Sequence, residues 1–309
     1  MKVILITAIG GDIAQGVAKV ISEMGGDYRL VGVDMHDEHG GRMFVDAFFN
    51  VPPATDAMYV QAIRGIVEKE SVDIIVPMAE PELAQLEDLQ NEIKSVDWII
   101  AGMGVISTGL DKLTTAKTLA KLGLQVPWTT LVQDGPPKEL PCILKSRTGS
   151  GSRTVFTLSD DEDVAYFSKR YPDAIYQELL EPADKEVTCA VYRTKDNQVA
   201  VLQMLRKLVG GFTGWAKIID DSAISNTCKT IAEGLNLRGS MNVQLRLTDN
   251  GPRVFEINPR FSSTTLMRHQ LGFSDVQWAV NEVVGNPVII PKIQADQIIV
   301  RVQSAAVIN

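Results

Sequence analysis

Cysteine and histidine are both scarce, with three of each among 309 residues. Cys142, Cys189 and Cys228 are odd in number, far apart and flanked by apolar residues. This excludes a disulfide framework and describes buried thiols in a reducing compartment. His36 and His39, in Met35-His36-Asp37-Glu38-His39, have no thiolate or third histidine nearby, so they read as a solvated loop and not as a zinc site. No apolar run approaches the roughly 18 residues that a membrane-spanning helix needs. The short apolar start, Met1 to Ala8, runs straight into Gly10-Gly11-Asp12, which fits a buried strand better than a signal peptide. An excess of basic charge is also missing. With 30 Lys and Arg against 38 Asp and Glu, the formal charge is -8 and the pI near 5.0. That surface as a whole attracts neither nucleic acid nor an anionic membrane, so any anionic ligand must meet a local cluster of basic groups. A cytoplasmic protein is expected.

What is present is enough apolar material, 45% of residues, to bury a large core in two or three compact units. Up to about residue 105 the pattern is strand, helix, strand. Val3–Ala8, Leu30–Asp34, Asp73–Val76 and Trp98–Ala101 read as strands; 13–24, 59–69 and 82–93 have helical spacing. Near-continuous apolar strands between amphipathic helices predict a parallel sheet covered on both faces. The glycine-rich turn after the first strand, with Asp34 closing the second, invites a dinucleotide reading. No G-x-G-x-x-G can be drawn through Gly10, Gly11 and Gly16, however, because Asp12 stands where the second glycine must admit a pyrophosphate.

Downstream, Ser107-Thr108-Gly109-Leu110 reads as a linker. Asp111 is then a plausible N-cap for a helix ended by Gly123. Lys112, in the first turn, opposes the helix macrodipole and gains nothing locally, so it is either a solvated lysine or a ligand contact. Pro141–Lys145 reads as a strand, followed by a Gly/Ser loop through Arg153 and the strand Thr154-Val155-Phe156. Amides and hydroxyls in such a loop can close over phosphates, although G-x-x-x-x-G-K-[ST] is absent. Beyond it, Ala174–Glu181 is a strand leading into an acidic hinge, and Lys185–Val191 starts another strand. Glu178 to Leu180 and Glu186 offer what a purine slot requires: main-chain partners, apolar walls and a carboxylate for ribose hydroxyls.

The densest signal lies in two alternating runs, Asn242–Leu247 and Val254–Arg260, separated by Thr248-Asp249-Asn250-Gly251-Pro252. Turn formers between such runs predict a β-hairpin. A register centred on Asn250 sets Gln244 opposite Glu256 and Asn242 opposite Asn258. Side-chain alternation then gives one face Val243, Leu245, Leu247, Phe255 and Ile257, and the other Gln244, Glu256 and Asn258. Three oxygen donors suit Mg2+ completed by water and phosphates, and Arg260 beside them can fork onto a phosphoryl oxygen. The alternative is a solvated polar strand face.

Taken in order, these parts resemble the ATP-grasp superfamily, in particular the branch of carbamoyl-phosphate synthase large subunits and related carboxylate-amine ligases. The resemblance runs over nearly the whole chain and rests on the Asp111-Lys112 helix start, the strand ending at Lys145, the Gly/Ser loop, the Gln177–Leu180 hinge, and Gln244 followed by Glu256-x-Asn258-Pro-Arg260. It implies an α/β and α+β architecture: a Rossmann-like pre-ATP-grasp domain (1–108), a small lid subdomain (109–176), and a C-terminal subdomain (177–309) carrying the metal and phosphate site, with ATP sandwiched between the last two. By the same resemblance Lys112 and Lys145 hold ATP phosphates under a lid of Gly149, Ser150, Gly151 and Ser152. Glu178 and Leu180 take the adenine edge through main-chain groups, and Glu186 takes the ribose. Gln244, Glu256 and Asn258 form the shell of Mg2+ (or Mn2+), and Arg260 is the catalytic residue beside the transferred phosphoryl group.

The implied activity is ATP-dependent activation of a carboxylate to an acyl phosphate that an amine attacks. Small-molecule acid and amine substrates are expected, with a homodimer or a partner subunit as possible assemblies. A split carbamoyl-phosphate synthase-like chain working with a partner, and a non-catalytic ATP-binding protein, stay open as alternatives. Substrate contacts are expected from Phe261, Ser262, Ser263, Arg268, His269, Arg206 and Lys217.

Overall fold

The computed structural model describes residues 1–149, 154–303, 305 and 307. The first unit winds as β1 (Lys2–Ile6), α1 (Asp12–Glu23), β2 (Tyr28–Asp34), β3 (Ala47–Asn50), α2 (Tyr59–Glu70), β4 (Ile74–Val76), α3 (Glu80–Leu83), α4 (Leu86–Glu92) and β5 (Asp97–Trp98). Its five strands run parallel in the order β3-β2-β1-β4-β5. Alternation along β1 divides the core: Ile4 and Ile6 pack with α1, while Val3 and Leu5 pack with α2 and α4. Strand β3 escapes the sequence pattern because it is a half-buried edge strand. The helix expected over 82–93 is two helices. Glu82 is drawn into the interior, where the hydroxyls of Tyr59 and Thr7 donate to its carboxylate, and burial raises its pKa.

The expected linker 107–110 is not a linker. It lies in α5 (Met103–Gly109), which packs against α6 (Lys112–Lys121). The small polar residues that suggested flexibility serve close approach instead. Thr108 is buried and its carbonyl accepts from the Thr115 hydroxyl at 2.7 Å, while a Cβ at Gly109 would sit 2.9 Å from the carbonyl of Ile257. Asp111 caps α6 as expected, its Oδ1 accepting from the amides of Leu113 and Thr114 at 2.8 and 3.0 Å.

A four-stranded sheet follows in the order β6-β9-β7-β8, built from β6 (Thr129–Leu131), β7 (Cys142–Ser146), β8 (Val155–Leu158) and β9 (Ala174–Glu178), with α7 (Asp161–Arg170) between β8 and β9. The pairing of β7 with β8 is the hairpin expected around the Gly/Ser loop. The last unit is a six-stranded sheet of order β14-β13-β10-β11-β12-β15. Its strands are β10 (Glu186–Arg193), β11 (Val199–Val209), β12 (Phe212–Ile219), β13 (Gly239–Thr248), β14 (Gly251–Asn258) and β15 (Ile298–Val300); its helices are α8 (Ser222–Gly234), α9 (Thr265–Gln270) and α10 (Asp275–Val284).

In the β13–β14 hairpin, Gln244 faces Glu256 and Asn242 faces Asn258. Next to Gln244 the register slips by one, so that Leu245 faces Val254. This bulge corrects one expectation. Val254, not Phe255, joins the apolar core with Val243, Leu245 and Ile257, and Phe255 turns to the same side as Glu256.

The first and last units share one apolar core. Ile4, Ile6, Val17 and Ile21 belong to the same cluster as Tyr192, Phe261, Met267, Phe273 and Trp278. Within it lies a polar knot that corrects another expectation. Arg268 is fully buried, its Nη2 2.6 Å from Asp275 Oδ2, its Nε 2.8 Å from Asp275 Oδ1 and its Nη1 2.7 Å from the Ser262 hydroxyl; Ser240 also bonds to Asp275. All three of its guanidinium nitrogens are hydrogen-bonded in the interior, so Arg268 joins α9 to α10 and, through Asp275, to β13, and does not clamp a substrate.

Arg268→Met should lower the unfolding free energy by about 3–5 kcal/mol, because it strands a buried carboxylate, and adding Asp275→Leu should recover much of that loss. Urea titration measures both. Binding of ATP, the ligand the resemblance leads one to expect, should be the same in the folded Arg268→Met protein as in the wild type when measured calorimetrically at low temperature. A specific loss of ligand binding without loss of stability would return Arg268 to the substrate site.

Candidate functional site

Between the two antiparallel sheets lies a cavity of about 610 Å³. Lys112, Lys145, Gly149, Glu178, Leu180, Glu186, Gln244, Glu256, Asn258 and Arg260 all line it, although they come from elements spread over 150 positions of sequence. Ser150, Gly151 and Ser152 lie outside the described residues.

The cationic side is built from α6 and β7. The Asp111 cap also takes Arg147, whose Nη2 is 2.6 Å from Oδ2. Burial opposes ionisation of that carboxyl, but Arg147 and the two helix amides win, and its pKa lies below the usual value. The Lys112 amide donates to the Arg147 carbonyl at 3.0 Å, and its Nζ reaches the carbonyl of Gly149 at 2.7 Å. The first turn of α6 is thereby tied to the start of the Gly/Ser loop. Lys145 is 6% exposed, with Nζ 3.4 Å from the carbonyl of Phe255 and 5.4 Å from its ring. Burial lowers its pKa to about 8; the neighbouring charge of Lys112 adds to the shift, while Glu256 and Glu186 oppose it.

Along the hinge, Glu178 holds Arg253, with Nη2 to Oε2 at 2.7 Å, and accepts from the amide of Trp128 at 3.1 Å. Its own amide donates to the Trp128 carbonyl at 3.0 Å. The carbonyl of Leu180 accepts from Arg246 Nη1 at 2.9 Å, which leaves the Leu180 amide without a partner among the described residues. Arg246 also pairs with Glu186 at 2.7 Å, and Glu186 pairs with Arg206 at 2.7 Å. Arg206 in turn donates to Gln244 Oε1 at 2.9 Å. A continuous lattice of arginines and carboxylates thus runs from the hinge to the polar face of β13.

At the end of β14, Glu256 and Asn258 face the cavity and have no side-chain partner among the described residues. Gln244 keeps a second lone pair beyond the one Arg206 uses. Hard oxygen donors without partners fit a cation such as Mg2+. Among the described residues, however, no group of three His, Cys, Asp or Glu side chains could hold one unaided. A cation here would therefore draw much of its shell from water and ligand phosphates. Arg260 donates from Nη2 to Glu80 Oε1 at 3.0 Å and from Nη1 to the carbonyl of Phe261 at 3.1 Å.

Besides Arg268, three expected substrate contacts fall elsewhere, and one of them, Phe261, is buried in the core shared by the first and last units. Lys217 pairs with Asp296 at 2.7 Å, outside the cavity, and His269 lies against Ser274 and Glu23 at 2.8 and 3.3 Å. His39 accepts from the Gly41 amide and caps a short turn. Sequence reasoning missed Arg246, Arg253 and Glu80. Arg246 was legible, since it stands two positions from Gln244 and so shares its face. Glu80 was not, because 180 residues separate it from Arg260.

No helix among the described residues is long and apolar enough to cross a membrane. Residues 110–264 match the family model for the ATP-grasp domain, and residues 4–101 match that for the PylC-like N-terminal domain. The D-alanine–D-alanine ligase of Mycobacterium leprae is 23% identical over 248 residues, which cover 67% of this chain and 64% of that protein, so the chain spans just under two thirds of this relative's length. Among solved structures, N5-carboxyaminoimidazole synthetase from Staphylococcus aureus complexed with ADP superposes with a TM-score of 0.75 at 19% identity, covering 97% of this chain and 80% of that one. A biotin carboxylase–β-γ-ATP complex from Campylobacter jejuni gives 0.73 at 17%, covering 96% and 74%. The parallel N-terminal sheet, the two antiparallel sheets around the cavity and the matched family model together place the chain in the ATP-grasp family.

Proposed function

We propose that the protein is an ATP-dependent ligase that activates a small carboxylate as an acyl phosphate for attack by an amine, releasing ADP and phosphate. The observation that carries this reading is the convergence of two lysines, an arginine and a set of unpartnered oxygen donors on one cavity between two sheets. Phosphoryl transfer asks a protein for position and charge more than for covalent help, and this wall supplies both. We read residues 1–108 as the pre-ATP-grasp domain, 109–176 as the lid subdomain and 177–309 as the subdomain carrying the phosphate site, in a cytoplasmic protein.

In this reading the Leu180 amide and the carbonyl side of Glu178 meet the adenine edge, and Glu186, oriented by Arg206 and Arg246, accepts from the ribose hydroxyls. Lys145 and Lys112 neutralise the phosphates beside Gly149. Gln244, Glu256 and Asn258 would hold Mg2+ or Mn2+, which when bound supplies charge neutralisation across the phosphates. A carboxylate oxygen of the substrate attacks the γ-phosphorus, the bond to the β-γ bridging oxygen breaks, and ADP leaves. Arg260, steered by Glu80, holds the charge that spreads over the transferring group. The amine nitrogen then attacks the acyl carbon, phosphate departs with the carbon–oxygen electron pair, and the amine gives up its proton to water or phosphate.

Two measurements test this. Glu256→Ala should leave melting behaviour unchanged and reduce ADP formation with an active acid and amine pair by about 10²-fold or more; full turnover would remove Glu256 from the phosphate site. The second is a pH profile. Lys145 is cationic below its pKa of about 8 and neutral above it, so kcat/KM for ATP should be flat at lower pH. It should then fall about tenfold per unit as pH rises beyond that value. Lys145→Arg, which stays charged, should abolish the alkaline fall. An unchanged profile in the wild type up to about pH 9.5 would overturn the phosphate role of Lys145.

A further inference from the structure

Part of the cavity lining is not used by the nucleotide and phosphate assignments. It includes Ile13 in the first turn of α1, Ser263, and Leu208 and Phe212 at the tip of the β11–β12 hairpin. The tip is a two-glycine turn, with Gly210 at φ 59 and Gly211 at φ 84. The apolar side chains around it are unusually bare, with Leu208 and Phe212 each 46% exposed. A cluster of bare apolar side chains bordering a cavity is the kind of surface a ligand covers.

Among the described residues, the charged side chains around this part of the cavity are already committed. Arg301 reaches across it, but its Nε donates to the carbonyl of Thr213 at 3.1 Å, its Nη1 lies 3.4 Å from Asp12, its Nη2 donates to the carbonyl of Ser263, and its guanidinium lies 5.8 Å over the Phe212 ring. Arg206 is spent on Glu186 and Gln244. Ser262 is held by Arg268 and Thr264. The Arg301 contacts also hold the first turn of α1, Ser263 and the base of the hairpin tip together, so the wall is assembled before any ligand enters.

From this we infer that the substrate occupying the part of the cavity lined by Ile13, Ser263, Leu208 and Phe212 carries a neutral, apolar side chain of aliphatic or aromatic type, and that Phe212 determines this preference. An acidic or basic side chain placed there would lose its hydration and find no free partner of opposite charge among the described residues. An aliphatic or aromatic one would cover Ile13, Leu208 and Phe212. The inference rests on the ligase reading for the identity of the occupant as a substrate, and the test separates the two.

Leucine, phenylalanine, serine, aspartate and lysine, of both chiralities, would be supplied pairwise to the full chain. One arm uses Mg-ATP and reads ADP formation; the other uses a nonhydrolysable ATP analogue and reads the shift in Tm. Leucine or phenylalanine should exceed serine by at least about tenfold in kcat/KM and give the largest Tm shift. Phe212→Ser should erase most of that ratio without changing KM for ATP, and Phe212→Leu should restore it. Apolar ranking in the melting arm without turnover would sink the ligase reading and leave the apolar subsite standing. A preference for aspartate or lysine, an unchanged ratio in Phe212→Ser, or no response to any amino acid in either arm would overturn the inference.

Discussion

The site depends on keeping two ammonium groups unneutralised, that of Lys145 buried and that of Lys112 at the cavity's more open side. Among the described residues, every arginine around the cavity has its carboxylate: Arg147 has Asp111, Arg206 and Arg246 share Glu186, Arg253 has Glu178, and Arg260 has Glu80. Lys112 and Lys145 have none within ion-pair distance among the described residues and rest on backbone carbonyls instead. Holding such charge without a counter-ion is costly, and the lowered pKa of Lys145 records that cost. The surrounding ion pairs occupy Asp111, Glu178, Glu186 and Glu80, and the unpaired Glu256 makes no ion pair with either lysine among the described residues, so that an anionic ligand is the partner each lacks. In a chain of net charge -8, this local arrangement, not the overall balance, is what makes a polyanion welcome.

Rigidity comes from the apolar side. One cluster runs from the first sheet through α1 into α9, α10 and the six-stranded sheet. Helices α9 and α10 are locked by the buried Arg268–Asp275 pair. Across that frame Glu80 and Arg260 meet, so the group nearest the proposed transfer is positioned by two units that fold around separate sheets. The small β6-β9-β7-β8 sheet has its own modest core of Cys142, Leu144, Leu158, Ala174 and Tyr176. Its ties to the cavity run through Lys112, Lys145 and the Glu178–Arg253 pair.

Much of this was legible in order along the chain. The parallel strands announced themselves by continuous apolar runs, the Asp111 cap by its place before a helical pattern, and the pairing of Gln244 with Glu256 by the symmetry of the turn. What stayed hidden had physical reasons. Strand β3 lacks a buried face strong enough to show a period. Helix α5 was mistaken for a linker because Thr108 and Gly109 are small for packing and not for flexibility. Arg268 and Lys217 looked like substrate contacts because a sequence shows a charge but not the partner that absorbs it. The bulge at Phe255 could not be read at all, since it depends on which residues the neighbouring core accepts.

That bulge has an evolutionary corollary. Beyond it, the β14 residues that line the cavity are anchored to β13 by the Asn242–Asn258 and Gln244–Glu256 pairs, on the far side of the irregularity from the turn. The extra residue acts as a slack joint, absorbing mismatch between turn and cavity. The loop around Asp249 and Asn250 can therefore drift in length and composition among descendants of this chain while the donors keep their aim, and even deletion of the unpaired Phe255 would leave Gln244 opposite Glu256 and Leu245 opposite Val254 in a regular ladder.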